Sequence, residues 1–197
     1  MRIEPLNPEH WPTVRAIYLE GIATFEQDAP DWPRWDAAHH SHSRLVAVDE
    51  DGVAGWAALS LVSVRYVYRG VAEVTIYIAE RARGRGVGRA LMNALSAASE
   101  AAGIWTLQSA IFRENDASIR LHEHAGFRVA GERERIGWFA GEWRTTVLME
   151  RLNRRNSSIA ERPSLALNGG TLDLATSLPI VGRMRSPQIR GALESLL

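Results

Sequence analysis

An α/β domain built on a mixed β-sheet is the fold class that this sequence predicts, and three observations carry it. A strand-like run, Glu73 to Ala79, passes through a basic glycine loop straight into a helical pattern that ends near Gly103, and another strand-like run follows at Thr106 to Ile111. Strand, helix and strand in that order read as a parallel crossover unit. Ahead of it, two β-rich runs flank the turn Asp49-Glu50-Asp51-Gly52, the pattern of an antiparallel hairpin. Length and composition are the third: 197 residues, 46% of them hydrophobic, are enough to bury a core and suit one domain plus an extension.

Taken in chain order, Asn7 followed by Pro8 marks a helix start, and Trp11, Val14, Ile17, Tyr18 and Ile22 recur at helical spacing, which predicts an amphipathic helix to about Thr24. Asp28, Pro30, Asp31 and Pro33 make Phe25 to Pro33 a loop before a short helix around Arg34 to His40. The hairpin strands are Leu45 to Val48 and Val53 to Val64, and the third strand is Glu73 to Ala79. After the glycine loop, Val87, Leu91, Ala94, Leu95 and Ala98 form one apolar stripe. Asn115 is a suitable N-cap for a helix over Asp116 to Ala125, which Gly126 stops by offering a left-handed position. Strands at Phe127 to Ala130 and Trp143 to Arg151, with a turn-prone Gly137 to Gly141 between them, close a domain of residues 1–152. The predicted order is α, α, β, β, β, α, β, α, β, β.

Residues 153–197 read as a tail, flexible or docked at the periphery. Asn153 to Ser158 is polar, Gly169-Gly170 and three prolines interrupt, and no long period is sustained. The last stretch, Gln188 to Leu197, has the length of a short helix that is marginal without a docking partner.

Formal net charge is zero, which argues against bulk attraction to nucleic acid or an anionic membrane and points to a small partner. With no cysteine, neither a disulfide nor a thiolate nucleophile enters the chemistry. Met-Arg-Ile-Glu-Pro at the start lacks the apolar core of a signal peptide, and no run approaches eighteen apolar residues, so a soluble cytoplasmic protein is expected. His39, His40 and His42 lie close in sequence without the spacing of an ordered zinc site, so no metal is expected there.

The glycine loop carries the most chemistry. Arg83-Gly84-Arg85-Gly86-Val87-Gly88 alternates glycine with bulkier residues, so the backbone can fold tightly and bring its N–H groups to an anion at the positive end of the following helix. Its spacing fits neither the dinucleotide fingerprint nor the nucleotide P-loop. It resembles instead the (Q/R)-x-x-G-x-(G/A) acetyl-CoA signature of the GNAT superfamily of N-acetyltransferases.

Further landmarks narrow the resemblance to the phosphinothricin N-acetyltransferase-like, or L-amino acid N-acyltransferase, branch. Ala23-Thr24-Phe25-Glu26 leads to Pro30, Arg65-Tyr66-Val67-Tyr68-Arg69 precedes Glu73, and Asn115 to Phe127 reads NDASIRLHEHAGF. These occur in the branch's order over about 150 residues. Near the end the chain departs from it, with Trp143-Arg144-Thr145 where many relatives carry Trp-x-Asp. The resemblance implies a sheet whose two central parallel strands splay around the cofactor, with acetyl-CoA as co-substrate and a homodimer.

Residue roles follow from the chemistry and the resemblance together. An α-amino group titrates near about 8, so acyl transfer to it at neutral pH needs a base. Strand alternation puts Val74, Ile76 and Ile78 on one face and Glu73, Thr75 and Tyr77 on the other, more polar one. Glu73 is then the base, directly or through water; its ordinary reading is a strand-end carboxylate paired with a basic side chain. His122 is the acid or relay for the departing thiolate, standing where many relatives carry tyrosine; its plainer reading is a structural histidine. Backbone N–H groups near Tyr77 and Ile78 are the expected oxyanion donors.

Arg83, Gly84, Arg85, Gly86, Val87, Gly88 and Arg89 form the expected phosphate cradle, with Asn115 and Ser118 near the pantetheine arm. Phe25, Glu26, Arg65 and Tyr68 are the expected acceptor-side residues, an arginine being suited to a carboxylate. The acceptor is expected to be the amine of a small amino acid or analogue, such as phosphinothricin or methionine sulfoximine, attacked directly in a ternary complex. Two alternatives stay open: an acetyltransferase for proteins or peptides, and a non-catalytic acyl-CoA-binding regulatory module.

Overall fold

Seven strands line up in the order β1-β2-β3-β4-β5-β7-β6, every neighbouring pair antiparallel except β4 with β5. The strands are β1 (Arg2–Pro5), β2 (Leu45–Asp49), β3 (Gly52–Leu61), β4 (Val71–Ile78), β5 (Thr106–Phe112), β6 (Arg128–Phe139) and β7 (Glu142–Leu152). The helices are α1 (Trp11–Leu19), α2 (Trp32–Ala38), α3 (Val87–Ala101) and α4 (Asp116–His124). This is a computed structural model, and it describes residues 1–20 and 28–153. The expected tail from Arg154 onward and the expected end of the first helix therefore lie outside the described residues.

The central strands are covered on both faces. Residues 53–59 of β3 are all buried, as expected of a strand with packing on either side. On one face, Trp56 of β3 stacks on Tyr77 of β4 at 5.1 Å, Tyr18 of α1 lies 5.0 Å from Tyr77, and Trp35 of α2 meets Trp56 edge-on at 5.7 Å. Helix α3 covers the opposite face, where its Val87, Leu91, Met92 and Leu95 are buried. Gly88 in its first turn is needed for close approach, since a Cβ there would stand 3.1 Å from Leu121 of α4 and 3.7 Å from Ile78.

The feature that shapes the site is where β4 and β5 part. They pair only from Val71 with Thr106 to Glu73 with Gln108. Beyond that, residues 74–78 of β4 keep their ladder to β3, and residues 109–112 of β5 keep theirs to β7. A wedge opens between them, immediately after Glu73.

Several boundaries differ from the sequence reading. Strand β1 was not expected; its four residues contain a single inward apolar side chain, Ile3, and it exists as an edge strand because β2 supplies its partners. Helix α2 begins two residues before Arg34, with Asp31 accepting from Arg34 N–H at 3.0 Å and Pro33 in the first turn, where its missing N–H costs nothing. Strand β6 runs to Phe139 instead of Ala130. Its run of charged, exposed residues 132–135 hides the pattern, and bulges near Ala130 and between Arg133 and Gly137 break the alternation. The connecting turn is only Ala140-Gly141, both with positive φ (53° and 82°), a two-residue hairpin turn suited to strand twist.

Asn153, placed first in the tail by composition, is wholly buried. Its side-chain amide donates to Ser99 Oγ (3.1 Å) and Ile104 O (2.9 Å), and its backbone N–H donates to Trp105 O, so it locks the end of β7 onto α3 and the approach to β5. Among the described residues, no helix is long and apolar enough to cross a membrane.

Candidate active site

Two cavities, of about 570 and 560 Å³, open on the wedge between β4 and β5. They share Ile76, Tyr77, Phe112, Asn115 and Ser118. A ligand lying in one can therefore meet a ligand in the other across this wall.

The second cavity runs along the glycine loop. Gly84 and Gly86 have φ of 73° and 82°, which side-chain-bearing residues adopt only with strain, and Gly86 caps α3 from the left-handed region. This turn leaves the first N–H groups of a fifteen-residue helix at the cavity, where they and the helix dipole favour an anion. Arg83, Val87, Gly88 and Arg89 line the same space, Val87 from a buried position and the two arginines from exposed ones. Arg85 goes elsewhere: its guanidinium lies 3.9 Å from Asp49, which already takes two hydrogen bonds from Arg81, at 2.9 and 3.1 Å. That pairing holds the Asp49 carboxyl below its ordinary range. The acidic hairpin turn thus fixes the loop from behind and leaves Arg83 and Arg89 for a phosphate.

Glu73 lies in the first cavity at the mouth of the wedge, half-buried, and its carboxylate accepts from the Gln108 amide at 3.3 Å. Gln108 was not singled out from sequence, although a polar residue in the run Leu107-Gln108-Ser109-Ala110-Ile111 was the available signal. Thr75 and Tyr77 share the face of Glu73, as the alternation predicts. The oxyanion donors can be narrowed by the same alternation. Ala79 N–H donates to Ala54 O in β3, so Tyr77 N–H also points toward β3, while those of Ile76 and Ile78 point into the wedge.

His122 lines the first cavity from the last turn of α4 and is 1% exposed. Its Nδ1–H donates to Ser118 O at 2.8 Å and its ring meets Phe127 edge-on at 4.9 Å. Burial pushes its pKa down, only partly opposed by the Ser118 carbonyl. The neutral ring with its proton on Nδ1 leaves Nε2 as an acceptor, buried and without a partner among the described residues. Asn115 starts the same helix as a cap, its Oδ1 accepting from Ser118 N–H at 3.1 Å, so Asn115 and Ser118 are held together on the wall between the cavities.

The acceptor-side expectations fare unevenly. Phe25 and Glu26 lie outside the described residues. Arg65 and Tyr68 sit in an exposed connection before β4 and line neither cavity. The first cavity is instead walled by Tyr18, Trp35, His39, Trp56 and Tyr77, with Arg34 of α2 and Arg133 of β6 as its guanidiniums. Nothing local in sequence marked Arg34 or Arg133, because 99 residues separate them and only the fold brings them to one space. His39 donates from Nδ1 to Trp35 O at 2.7 Å and stacks on that indole at 4.1 Å.

Known proteins resemble this chain in sequence and in fold. Residues 9–127 match the sequence model of the Acetyltransferase (GNAT) family. The chain is 35% identical over 171 residues to a phosphinothricin N-acetyltransferase of Alcaligenes faecalis, covering 81% of this chain and 86% of that protein. It is 32% identical over 149 residues to an L-methionine sulfoximine/L-methionine sulfone acetyltransferase of Pseudomonas paraeruginosa, covering 71% and 87%. Its fold superposes with a TM-score of 0.75 and 29% identity on a GNAT superfamily phosphinothricin acetyltransferase from Sinorhizobium meliloti solved in complex with AcCoA, covering 84% of this chain and 94% of that one.

Proposed function

We propose, from the premise that this chain belongs to the acetyltransferase (GNAT) family, that it transfers the acetyl group of acetyl-CoA to the amine of a small amino acid or analogue of the phosphinothricin or methionine sulfoximine type. The carrying observation is the junction of two cavities at the point where β4 and β5 part, with the glycine loop and the start of α3 on one side and Glu73 on the other.

The residues divide the work as follows. The N-terminal N–H groups of α3, with Arg83 and Arg89, hold the co-substrate's pyrophosphate. Asn115 and Ser118 flank its pantetheine arm. The acetyl carbonyl meets the N–H groups of Ile76 and Ile78, which stabilise the oxyanion as it forms. The acceptor amine approaches from the first cavity, and Glu73 removes its proton, directly or through water. A C–N bond forms, the C–S bond breaks, and the thiolate leaves and is protonated. Because burial keeps His122 neutral and its Nε2 bare, His122 suits a relay that accepts a proton before passing it on, more than an acid charged in advance.

The catalytic domain is residues 1–153 in this reading, one residue longer than composition suggests, because Asn153 is part of the core. It works in the cytoplasm as a homodimer. The outer edge of β6 and the exposed pair Trp138 and Trp143, 60% and 54% exposed and in edge-on contact, support an interface there. Light scattering checks it: a dimer that Trp138→Glu dissociates is the expected result.

The test of the activity is CoA release from acetyl-CoA with phosphinothricin, methionine sulfoximine, methionine sulfone, common amino acids and a short peptide. Selective turnover of one small acceptor, lowered about 10²- to 10⁴-fold by Glu73→Gln, is expected. Saturable acetyl-CoA binding without any turnover would favour the binding module, and preference for the peptide would favour a protein acetyltransferase.

A further inference from the structure

The described arginines fall into two groups, with and without a carboxylate partner. Most described ones have a carboxylate within 4 Å: Arg15 with Asp28, Arg44 with Asp36, Arg81 with Asp49, and Arg151 with Glu100 are examples. Arg34 and Arg133 belong to the described arginines that have no carboxylate partner, and they are the two of that group that line the first cavity. They reach it from separate elements, Arg34 from the first turn of α2 and Arg133 from β6, where a bulge follows in the ladder to β7. Their backbones are fixed at those points: Asp31 caps the turn that carries Arg34, and Arg133 is in register with Thr146 of β7, whose side chain lines the same cavity.

Charge on this cavity is unbalanced as a result. Among the described residues Glu73 is its one carboxylate, against two guanidiniums. Both lining histidines, His39 and His122, are kept toward the neutral form by burial and add nothing to offset the excess. An amino acid arrives with an ammonium and an α-carboxylate. Glu73 matches the ammonium and one guanidinium matches the carboxylate, which leaves a second guanidinium without a partner. The other described lining residues are aromatic, aliphatic or neutral polar and supply no anion.

We infer that Arg34 and Arg133 are specificity-determining residues that select an acceptor carrying two anionic groups, an α-carboxylate and a second anion on its side chain such as a phosphinate or carboxylate. Amino acids with neutral side chains, sulfones and sulfoximines included, are the disfavoured class. This rests on the acetyltransferase reading for its substrate type, and on the two guanidiniums of the first cavity for its charge selectivity. Both arginines are at the exposed rim, so each contributes at the scale of a partly solvated ion pair and the preference weakens with salt.

The test measures binding and turnover separately. Calorimetric titration compares phosphinothricin with methionine sulfone and glutamate with glutamine, using the full chain and its Arg34→Gln, Arg133→Gln and doubly substituted forms. About tenfold tighter binding of the anionic member of each pair at low salt is expected, falling to near equality in the double variant with an unchanged melting temperature. Equal binding of the two members by the unmodified protein, binding of neither, or a preference that survives in the double variant overturns the inference. Turnover with acetyl-CoA judges the enzymatic reading on its own. Arginine-dependent anion preference without turnover would sink the acetyltransferase reading and keep the charge selectivity; equal turnover of charged and neutral acceptors by all variants would do the reverse.

Discussion

At the residue scale, the site depends on side chains whose role is set by a neighbour. Glu73 is half-buried and held by Gln108, so its geometry is tied to β5 as well as to its own strand. Gln108→Leu removes the one side-chain hydrogen bond that the carboxylate makes among the described residues, and a fall in kcat of about tenfold with an unchanged KM for acetyl-CoA is expected in steady-state kinetics. His122 carries a pH consequence. The unfolded chain's His122 titrates at about 6.5 and burial lowers its folded pKa, so below that pH the unfolded chain binds a proton that the folded one refuses. Stability contributed by neutral His122 is complete above about pH 6.5 and is lost as pH falls toward the folded pKa, with a slope of up to about 1.4 kcal/mol per pH unit. His39 is shifted the same way, mainly by burial, and adds to the slope. Melting temperatures measured from pH 8 downward are expected to be flat and then to fall, and His122→Phe is expected to flatten the descent.

At the scale of elements, the loop from Arg83 to Gly88 does two jobs. Its positive-φ glycines turn the chain so that α3 starts at the cavity, and its arginines divide between Asp49 and the second cavity. Gly86→Ala meets open space, so its cost comes from the left-handed backbone alone, about 1–2 kcal/mol. Weaker acetyl-CoA binding with little change in the acceptor's KM is expected in titration and kinetics. This loop was legible in sequence because its information is local: glycine spacing, a strand before it and a helix after it. Strand β6 was only half legible, since residues 132–135 are charged and solvent-facing, and it is the ladder to β7 that makes them a strand.

At the scale of the whole molecule, the end of the domain is decided by one buried amide. Truncation after Asn153 is expected to leave stability and activity near those of the full chain. Truncation after Leu152 removes the two side-chain hydrogen bonds of Asn153 and is expected to cost about 2 kcal/mol, read as a lower melting temperature. Loss of activity on truncation after Asn153 would instead give residues beyond 153 a part in catalysis.

The sequence by itself determined the α/β order, the glycine loop, Glu73 on the polar face of its strand, and the family pattern over most of the domain, because each is written in short-range periodicity or in fixed spacing. Tertiary structure alone decided where β4 and β5 separate, which N–H groups face the wedge, that Arg85 turns to Asp49, and that Arg34 and Arg133, not Arg65 and Tyr68, line the first cavity. Those outcomes depend on strand pairing and on approaches between residues far apart in the chain. No local pattern encodes them, since the same charged side chain is a solvated surface group or a ligand contact according to what the fold sets opposite it.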